Sequence, residues 1–444
     1  MIFKKGDPAL CENYRPICVL SIAYKILASM LKQRLLDAGV EQRLWQTQFG
    51  FRKKRSTADA IHIARRRIEL ACAQRRGRLS LLALDWRKAF DCINVQSLLD
   101  ALGRFGLPAS FIAMVSAVMQ ERRFLVKDFG ASSGQRPQLS GISQGCTLSP
   151  LLFIIVMSVL MQDAVALLGP AARQAYDQGD LADLAYADDT LLLGVSPEHL
   201  GEFLKAVATA GERFGMELHN GKLQLICIRC DKAVMKPNGE PLQPQQQMQY
   251  LGTMLAEDGR VSSELSRRIG QARSEFRSLC KVWSHSALSV NRKLRVFDSL
   301  VQSKFLYGLA TCCSTVAEQR RINGFQAKCI RQILKIPPSF ISRVSNAEVL
   351  RRSGMRSAME LLAQQQLMQL GKVLRAPAAS AMHHTSLIPG TLQPATSRYI
   401  RRRGRPHKEW IPTVLPEAFK RKQPHEHLYE LAQDSGAWKV FVRR

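Results

Sequence analysis

Apolar positions along the chain follow two rhythms. Residues 21–36 place Ile22, Ile26, Leu27, Met30, Leu31 and Leu35 at helical spacing, with Lys25, Lys32 and Arg34 between them. Residues 56–76 repeat that rhythm with Ile61, Ala64, Ile68 and Ala71 beside Arg65, Arg66 and Arg67, after a Ser-Thr start suited to a helix cap. Between them lies a glycine-containing loop, Gln48-Phe-Gly-Phe-Arg-Lys-Lys-Arg-Ser. Residues 79–84 form a continuous apolar run that stops at Asp85, which predicts a buried strand delivering a carboxylate at its end. Residues 183–186 and 190–194 flank Ala187-Asp-Asp as strand, tight turn and strand. Residues 101–120 read as helix broken near Gly106–Pro108, residues 139–147 as a Gly/Ser-rich loop, and 197–214 as an amphipathic helix. A second hairpin is expected at Tyr250-Leu-Gly, after a glutamine-rich loop at 243–247. From Ser262 onward the pattern is helical, with segments at 262–283, 291–307 and 318–334, the last stopped by Pro337-Pro338. Residues 376–408 turn Pro/Ser/Thr-rich and are expected to be mobile or weakly ordered. No internal repeat is visible.

Composition adds a partner class. The 444 residues are 46% hydrophobic and 23% charged, ordinary for a globular chain, yet the net charge is +28. That excess is lopsided: residues 1–258 hold 31 basic and 25 acidic side chains, whereas residues 259–444 hold 33 and 11. The second part therefore presents a polyanion-facing surface, and nucleic acid is the leading partner. Eleven scattered cysteines do not read as a disulfide framework. Cys227 and Cys230 form a lone CxxC without a second pair at zinc spacing, so core thiols are the expectation. The first residues carry no apolar secretory core, and the apolar run 150–161 falls short of the roughly 20 residues that cross a bilayer. An intracellular, reducing compartment, nuclear or cytoplasmic, and no membrane are expected.

The candidate chemistry is carboxylate chemistry. Asp85 closes a strand, and Asp188 and Asp189 sit together in a turn 103 residues further on. Magnesium takes hard oxygen ligands, commonly one or two carboxylates completed by substrate phosphates. Two such ions can clamp the attacking and leaving oxygens of a phosphoryl displacement.

The residues around these acids resemble those of reverse transcriptases, and in particular the LINE-type (non-LTR) retrotransposon enzymes. Tyr186-Ala-Asp-Asp is the signature. In the family's order stand Asn13-Tyr-Arg-Pro-Ile, Gln48-Phe-Gly-Phe-Arg with Arg55-Ser-Thr-Ala-Asp-Ala, and Leu84-Asp-Trp-Arg-Lys-Ala-Phe-Asp. Gly141-Ile-Ser-Gln-Gly-Cys-Thr-Leu-Ser-Pro, Tyr250-Leu-Gly with Asp258-Gly, and Phe305-Leu-Tyr-Gly follow. The resemblance implies an α+β right-hand polymerase: partial fingers at 1–78, a ferredoxin-like palm at 79–258, a helical thumb at 259–345, and a basic C-terminal extension at 346–444, partly mobile.

It also implies roles. Asp85, Asp188 and Asp189 would hold two magnesium ions, or manganese in their place, with the Trp86 carbonyl as an extra ligand. Lys222 would stand near the pyrophosphate leaving group as a general acid. Phe90 would be the aromatic gate selecting deoxynucleotides, while Asp91 is given a structural role. Gln144 and Gly145 would meet the incoming nucleotide and template, and Arg52 and Arg55 the triphosphate, for which guanidinium forks are suited. Arg267, Arg268, Arg273, Arg277, Lys281, Arg292, Lys293 and Arg295 would face the phosphates of the template–primer duplex. The implied partners are an RNA template, a DNA primer and dNTPs. His219 and Leu223 depart from the Asn and Thr usual near the lysine motif, and Cys146 from an acidic or polar residue. Arg401-Arg-Arg-Gly-Arg-Pro-His-Lys-Glu-Trp resembles a stretch near the end of some of these elements and could equally be a nuclear-localisation patch. No endonuclease pattern accompanies these motifs, so a truncated copy is expected. A non-catalytic nucleic-acid-binding remnant is one alternative; a group II intron maturase, for which no HNH cysteines are found, is another.

Overall fold

The computed structural model describes residues 2–3, 6–15, 17–128, 130–230, 232–404, 406–420 and 427–443, so Pro16 and Arg405 of the motifs above lie outside the described residues. The chain divides into two compact units: residues 1–60 with 78–245, and residues 61–77 with 246–444.

The first unit is built on a four-stranded antiparallel sheet of β1 (Leu79–Leu84), β2 (Leu181–Tyr186), β3 (Asp189–Gly194) and β4 (Gln224–Ile228), in the order β4-β1-β3-β2. Helices cross between β1 and β2 and between β3 and β4, which makes the split βαββαβ arrangement expected of a ferredoxin-like palm. Near-continuous apolar sequence in β1 and β3 is accounted for by burial of almost every side chain. The principal crossing helix, Ser149–Ala166, starts at Pro150, whose missing N–H is no loss in a first turn. It is longer than the apolar run 150–161 suggested. By length and composition it could cross a membrane, yet most of it is buried inside the unit. The helix Pro197–Glu212 packs beside it, capped by Ser196, whose hydroxyl accepts from the His199 N–H at 3.3 Å.

In the helix Ile22–Asp37 the buried positions are Ala28, Leu31 and Leu35, while Ile22, Ile26, Leu27 and Met30 are exposed, so only part of its expected apolar face is covered. The CxxC thiols sit at the far end of the β1–β4 pair, with the Cys230 Sγ 3.2 Å from the Ser80 hydroxyl. None of the eleven cysteines is joined in a disulfide.

The second unit begins with residues 61–77, most of the helix Thr57–Ala73. Counted with the fingers on sequence grounds, this helix belongs to the second unit because Arg65 donates to the Met254 carbonyl (3.0 Å) and Arg66 to that of Thr311 (2.9 Å). The hairpin β5 (Gln247–Tyr250) and β6 (Thr253–Ala256), counted with the palm, is also here. Its Met254 N–H donates to Glu264 on the helix Ser262–Ser278 at 2.8 Å. The helices Val316–Ile333 and Ala358–Arg375 follow, each opened by a capping box. The described residues of 376–408, a stretch read as mobile or weakly ordered, carry short helices at Ala381–His384 and Ala395–Arg398 and bury Leu387 and Ala395. Two fully buried tryptophans explain why: Trp410 donates to the Ala310 carbonyl at 2.8 Å and Trp438 to that of Leu367 at 2.9 Å. Each indole brings about 150–250 Å² of apolar surface out of water and has its polar atom satisfied.

Candidate active site

The register of the sheet assembles the acids. Leu84 of β1 stands opposite Thr190 of β3, and Tyr186 opposite Asp189 across the hairpin. One step further along each chain brings Asp85 and Asp189 side by side, with Asp188 in the connecting turn. The Asp85 carbonyl accepts the His219 N–H at 2.8 Å, and the turn Asn220–Lys222 then swings the Lys222 Nζ to 3.0 Å from Asp85 Oδ2.

Asp189 is exposed along one side, yet its surroundings push its carboxyl up to about 6. Burial of the acid is the first cause, followed by the negative charges of Asp188 and Asp85, with Arg15 pulling the other way. Because one side of the residue meets solvent, repulsion among three carboxylates is the sturdier part of that shift. Among the described residues no group of three or more His, Cys, Asp or Glu side chains is drawn into a ready cage for an ion. The donors nevertheless fit magnesium. They are hard carboxylate oxygens that repel one another, a lysine ammonium already stands against one of them, and this ion ordinarily leaves much of its shell to water and phosphate.

The turn itself is held by the loop before it. Ala187 adopts φ 58°, a left-handed conformation that is costly for a residue with a Cβ. Gln48 is completely buried beneath it: its Oε1 accepts the N–H groups of Ala187 and Gly50, each at 2.8 Å, and its Nε2 donates to the Ala187 carbonyl at 3.3 Å. A Cβ on Gly50 would lie 2.3 Å from the Ala187 nitrogen, so only glycine allows this approach. The loop is laid along the open edge of β2, with the Phe49 N–H donating to the Ala185 carbonyl (2.7 Å) and the Ala185 N–H to that of Thr47 (3.0 Å). Buried Asp183 anchors it further by accepting from Trp45 (2.9 Å), Tyr176 (2.8 Å) and Thr47. Sequence reasoning assigned no role to Gln48. The signal was present, since Gln-x-Gly precedes the cations, but its partner lies 139 residues away.

Arg52 and Arg55, expected at a triphosphate, anchor this same loop. Arg52 donates to the carbonyls of Trp45 (2.9 Å) and Glu41 (2.6 Å), and Arg55 to those of Gln46 and Gln48. Burial and the neighbouring Arg55 lower Arg52 to about 10. The cation whose charge reaches Asp189 is Arg15, exposed and given no role of its own above.

Phe90 is half-buried, stacked on Phe153 (4.1 Å between centroids) with Phe51 edge-on (6.3 Å). The loop carrying Gln144 and Gly145 is tied to the same turn: Ile142 N–H donates to the Phe90 carbonyl (2.7 Å) and the Gln144 amide to Asp91 (2.9 Å). Gly145 has φ 121°, and a Cβ there would meet the Cys18 carbonyl at 2.6 Å.

The cations assigned to duplex phosphates lie in the second unit and divide into two groups. Arg273, Arg277, Lys281, Arg292 and Arg295 are exposed. Arg267, Arg268 and Lys293, expected at the same phosphates, are instead turned toward partners within the protein. Glu264 is fully buried, and Arg267 (2.8 Å) and Arg268 (2.6 Å) neutralise it, while Lys293 donates to the Trp283 carbonyl at 2.8 Å. A carboxylate without water requires such partners.

Residues 2–255, more than half of the chain, match the reverse transcriptase (RNA-dependent DNA polymerase) family. The chain belongs to this family. Its relatives include RNA-directed DNA polymerases and Pol polyproteins of transposable elements. It is 27% identical over 356 residues to the probable RNA-directed DNA polymerase from transposon BS of Drosophila melanogaster, covering 76% of this chain and 38% of that protein. To the RNA-directed DNA polymerase from mobile element jockey of the same organism it is 26% identical, covering 76% and 37%. To the Pol polyprotein of the type-1 element R2 of Popillia japonica it is 27% identical, covering 70% and 43%. The chain thus spans less than half the length of these relatives. Among solved structures, apo telomerase from Candida tropicalis resembles 82% of this reverse transcriptase and 59% of that chain at 14% identity and a TM-score of 0.38, too slight a likeness to add weight.

Proposed function

We propose that this reverse transcriptase is an RNA-directed DNA polymerase of a LINE-type element, extending a DNA primer with dNTPs on an RNA template. The observation that carries the reading is the strand register that brings Asp85 beside the Asp188–Asp189 turn. Asp85, Asp188 and Asp189 would hold two magnesium ions, which in this class of reaction supply Lewis acidity at the attacking and leaving oxygens. The chain's own residues do the rest. Lys222, 3.0 Å from Asp85, is placed to give a proton at the leaving-group side. Arg15 offers its guanidinium to the phosphates of the incoming nucleotide. Phe90, braced by Phe153, presents a ring edge against a 2′-hydroxyl, and the Gln144 loop tied to it meets the base and sugar. Exposed Arg273, Arg277, Lys281, Arg292 and Arg295 track duplex phosphates without reading sequence.

Primer extension on an RNA template at low salt tests this. Magnesium-dependent synthesis is expected, with Asp188→Ala slower by roughly 10³-fold or more. Tight oligonucleotide binding with no extension, identical in Asp188→Ala, would select the non-catalytic binder instead.

A further inference from the structure

The segment that follows Ile400 has no place in the chemistry above, and its backbone and side chains are used differently. Its backbone is pinned at both ends. On one side Arg75 N–H donates to the Ile400 carbonyl (2.9 Å) and Arg402 N–H to that of Ala73 (2.8 Å), an antiparallel bridge against the end of the helix Thr57–Ala73. On the other side Trp410 is fully buried and its N–H donates to Glu69 at 3.0 Å. Arg402 and Arg403, between these anchors, are exposed. Arg402 is thus tied through its own backbone to the end of that helix while its side chain stays in water.

That frame borders a cleft of about 530 Å³ lined by Arg65, Arg66, Arg260 and Lys408, and a second hollow of about 300 Å³ joins Arg260 to Arg402 and Arg403. Arg65 and Arg66 are more than nine-tenths buried, and the Nε of each has no hydrogen-bond partner. The acids of the cleft are already answered. Glu69 takes Arg66 and the Trp410 N–H, Glu318 closes a capping box, Glu409 pairs with Arg401 at 3.0 Å, and Asp258 pairs with Arg260 at 3.5 Å, both of them exposed to water. What is left over is the positive charge of Arg402 and Arg403 in water and of buried Arg65, while the exposed Arg260–Asp258 pair is one that a phosphate can compete for.

We propose that this cleft is a second nucleic-acid site, taking the phosphodiester backbone of a strand whose phosphates lie along Arg402, Arg403 and Arg260. It is separate from the exposed thumb cations and does not rest on the polymerase reading, since an inactive chain would keep it. Recognition is by phosphate, so sequence matters little, and each contact contributes to the salt dependence of binding.

The test is equilibrium binding by fluorescence anisotropy with the full chain, without magnesium or dNTPs. Two probes are used, a 20-nucleotide RNA and the same RNA annealed to DNA; loss confined to one probe identifies which form the cleft holds. Arg402→Ala with Arg403→Ala should weaken binding roughly 10-fold near 0.1 M salt and flatten the slope of log affinity against log salt by about 1.5 to 2. Arg402→Lys with Arg403→Lys should keep most of both. Combining the alanine pair with Arg273→Ala and Arg277→Ala should give additive losses, as expected of independent sites. RNA carrying 4-thiouridine should crosslink to peptides spanning 398–410. Unchanged affinity and slope on both probes, or crosslinks confined to 262–296, would overturn the proposal. So would intact binding accompanied by loss of nuclear accumulation, which would give the segment to a transport receptor.

Discussion

Two cation runs, Arg52-Lys-Lys-Arg55 and Arg401-Arg-Arg403, look alike as sequence and are put to opposite uses. In the first, the guanidiniums at both ends turn inward onto backbone carbonyls of residues 41–48, and the loop they brace holds Gln48 under the Ala187–Asp189 turn. In the second, the backbone is fastened by hydrogen bonds to Ala73 and Arg75 and by Trp410, and the guanidiniums of Arg402 and Arg403 face water. Withdrawing an arginine from water is costly, and it is offset here because one guanidinium supplies several loop carbonyls that would otherwise lack donors. Where backbone pairing already satisfies the carbonyls, the same residues are left for a partner.

The sharpest way to break this contrast is to remove one arginine from each run. Arg52→Ala deletes bonds to the carbonyls of Glu41, Trp45 and Gln48, partly shielded from solvent. A loss of about 2–4 kcal/mol is expected, seen as a melting temperature lower by roughly 5–12 °C, with primer extension falling about 100-fold as the loop loosens. Arg402→Ala should change stability by no more than about 0.5 kcal/mol. Equal melting curves for the two variants would erase the distinction.

How far these uses could be read from sequence depends on the range of the interaction. The acidic trio was legible because each member sits beside a strand signal of its own: the apolar run ending at Asp85, and the turn at Ala187–Asp189 between two strands. The split βαββαβ order followed from the resemblance and matches the observed sheet. Long-range side-chain commitments were not legible. Arg267, Arg268 and Lys293 read as surface cations because nothing local marks Glu264 as a buried carboxylate or the Trp283 carbonyl as an acceptor. Residues 376–408 read as mobile or weakly ordered by composition, which undervalues the few large side chains, Leu387 and above all Trp410, that decide whether such a stretch is held. The edge of the first unit was hidden for the same reason: the helix Thr57–Ala73 looks continuous, and it is distant partners, among them Met254, Thr311 and Trp410, that assign residues 61–73 to the second unit.

A smaller effect comes from the residue that the inward-facing run supports. Gln48→Leu keeps the volume but leaves the Ala187 and Gly50 N–H groups without their shared acceptor. An extension rate lower by about 10- to 50-fold is expected, with a destabilisation of roughly 1–3 kcal/mol. A purely structural role would stop there. If Gln48 positions the turn, the magnesium concentration for half-maximal rate also rises, because the Asp188 and Asp189 carboxylates are no longer held where Asp85 can share an ion with them. An unchanged magnesium requirement at reduced rate would reduce Gln48 to a packing residue.

The smallest effect concerns the acids themselves. The Asp189 carboxyl is raised from an ordinary value near 3.8 to about 6, so between those limits the folded chain holds a proton more tightly than the unfolded one. Stability therefore falls as pH rises from about 4 through 6 and is level above, where the ionised group is a standing penalty. Asp189→Asn removes that penalty, so without metal the variant should be more stable than the parent above pH 6 and indistinguishable near pH 4. Because Asp189 is solvent-exposed along one side, screening reduces the gain to about 1 kcal/mol. Magnesium at pH 7.5 should raise the parent's melting temperature more than that of the variant, since the ion relieves the same repulsion that the substitution deletes. Thermal melts at the two pH values, with and without the ion, measure all four terms. A variant less stable than the parent at pH 7.5 without metal would mean that Lys222 and Arg15 already offset the repulsion. The acidic cluster would then resemble the first cation run, its charges satisfied from within, instead of being held open for an ion.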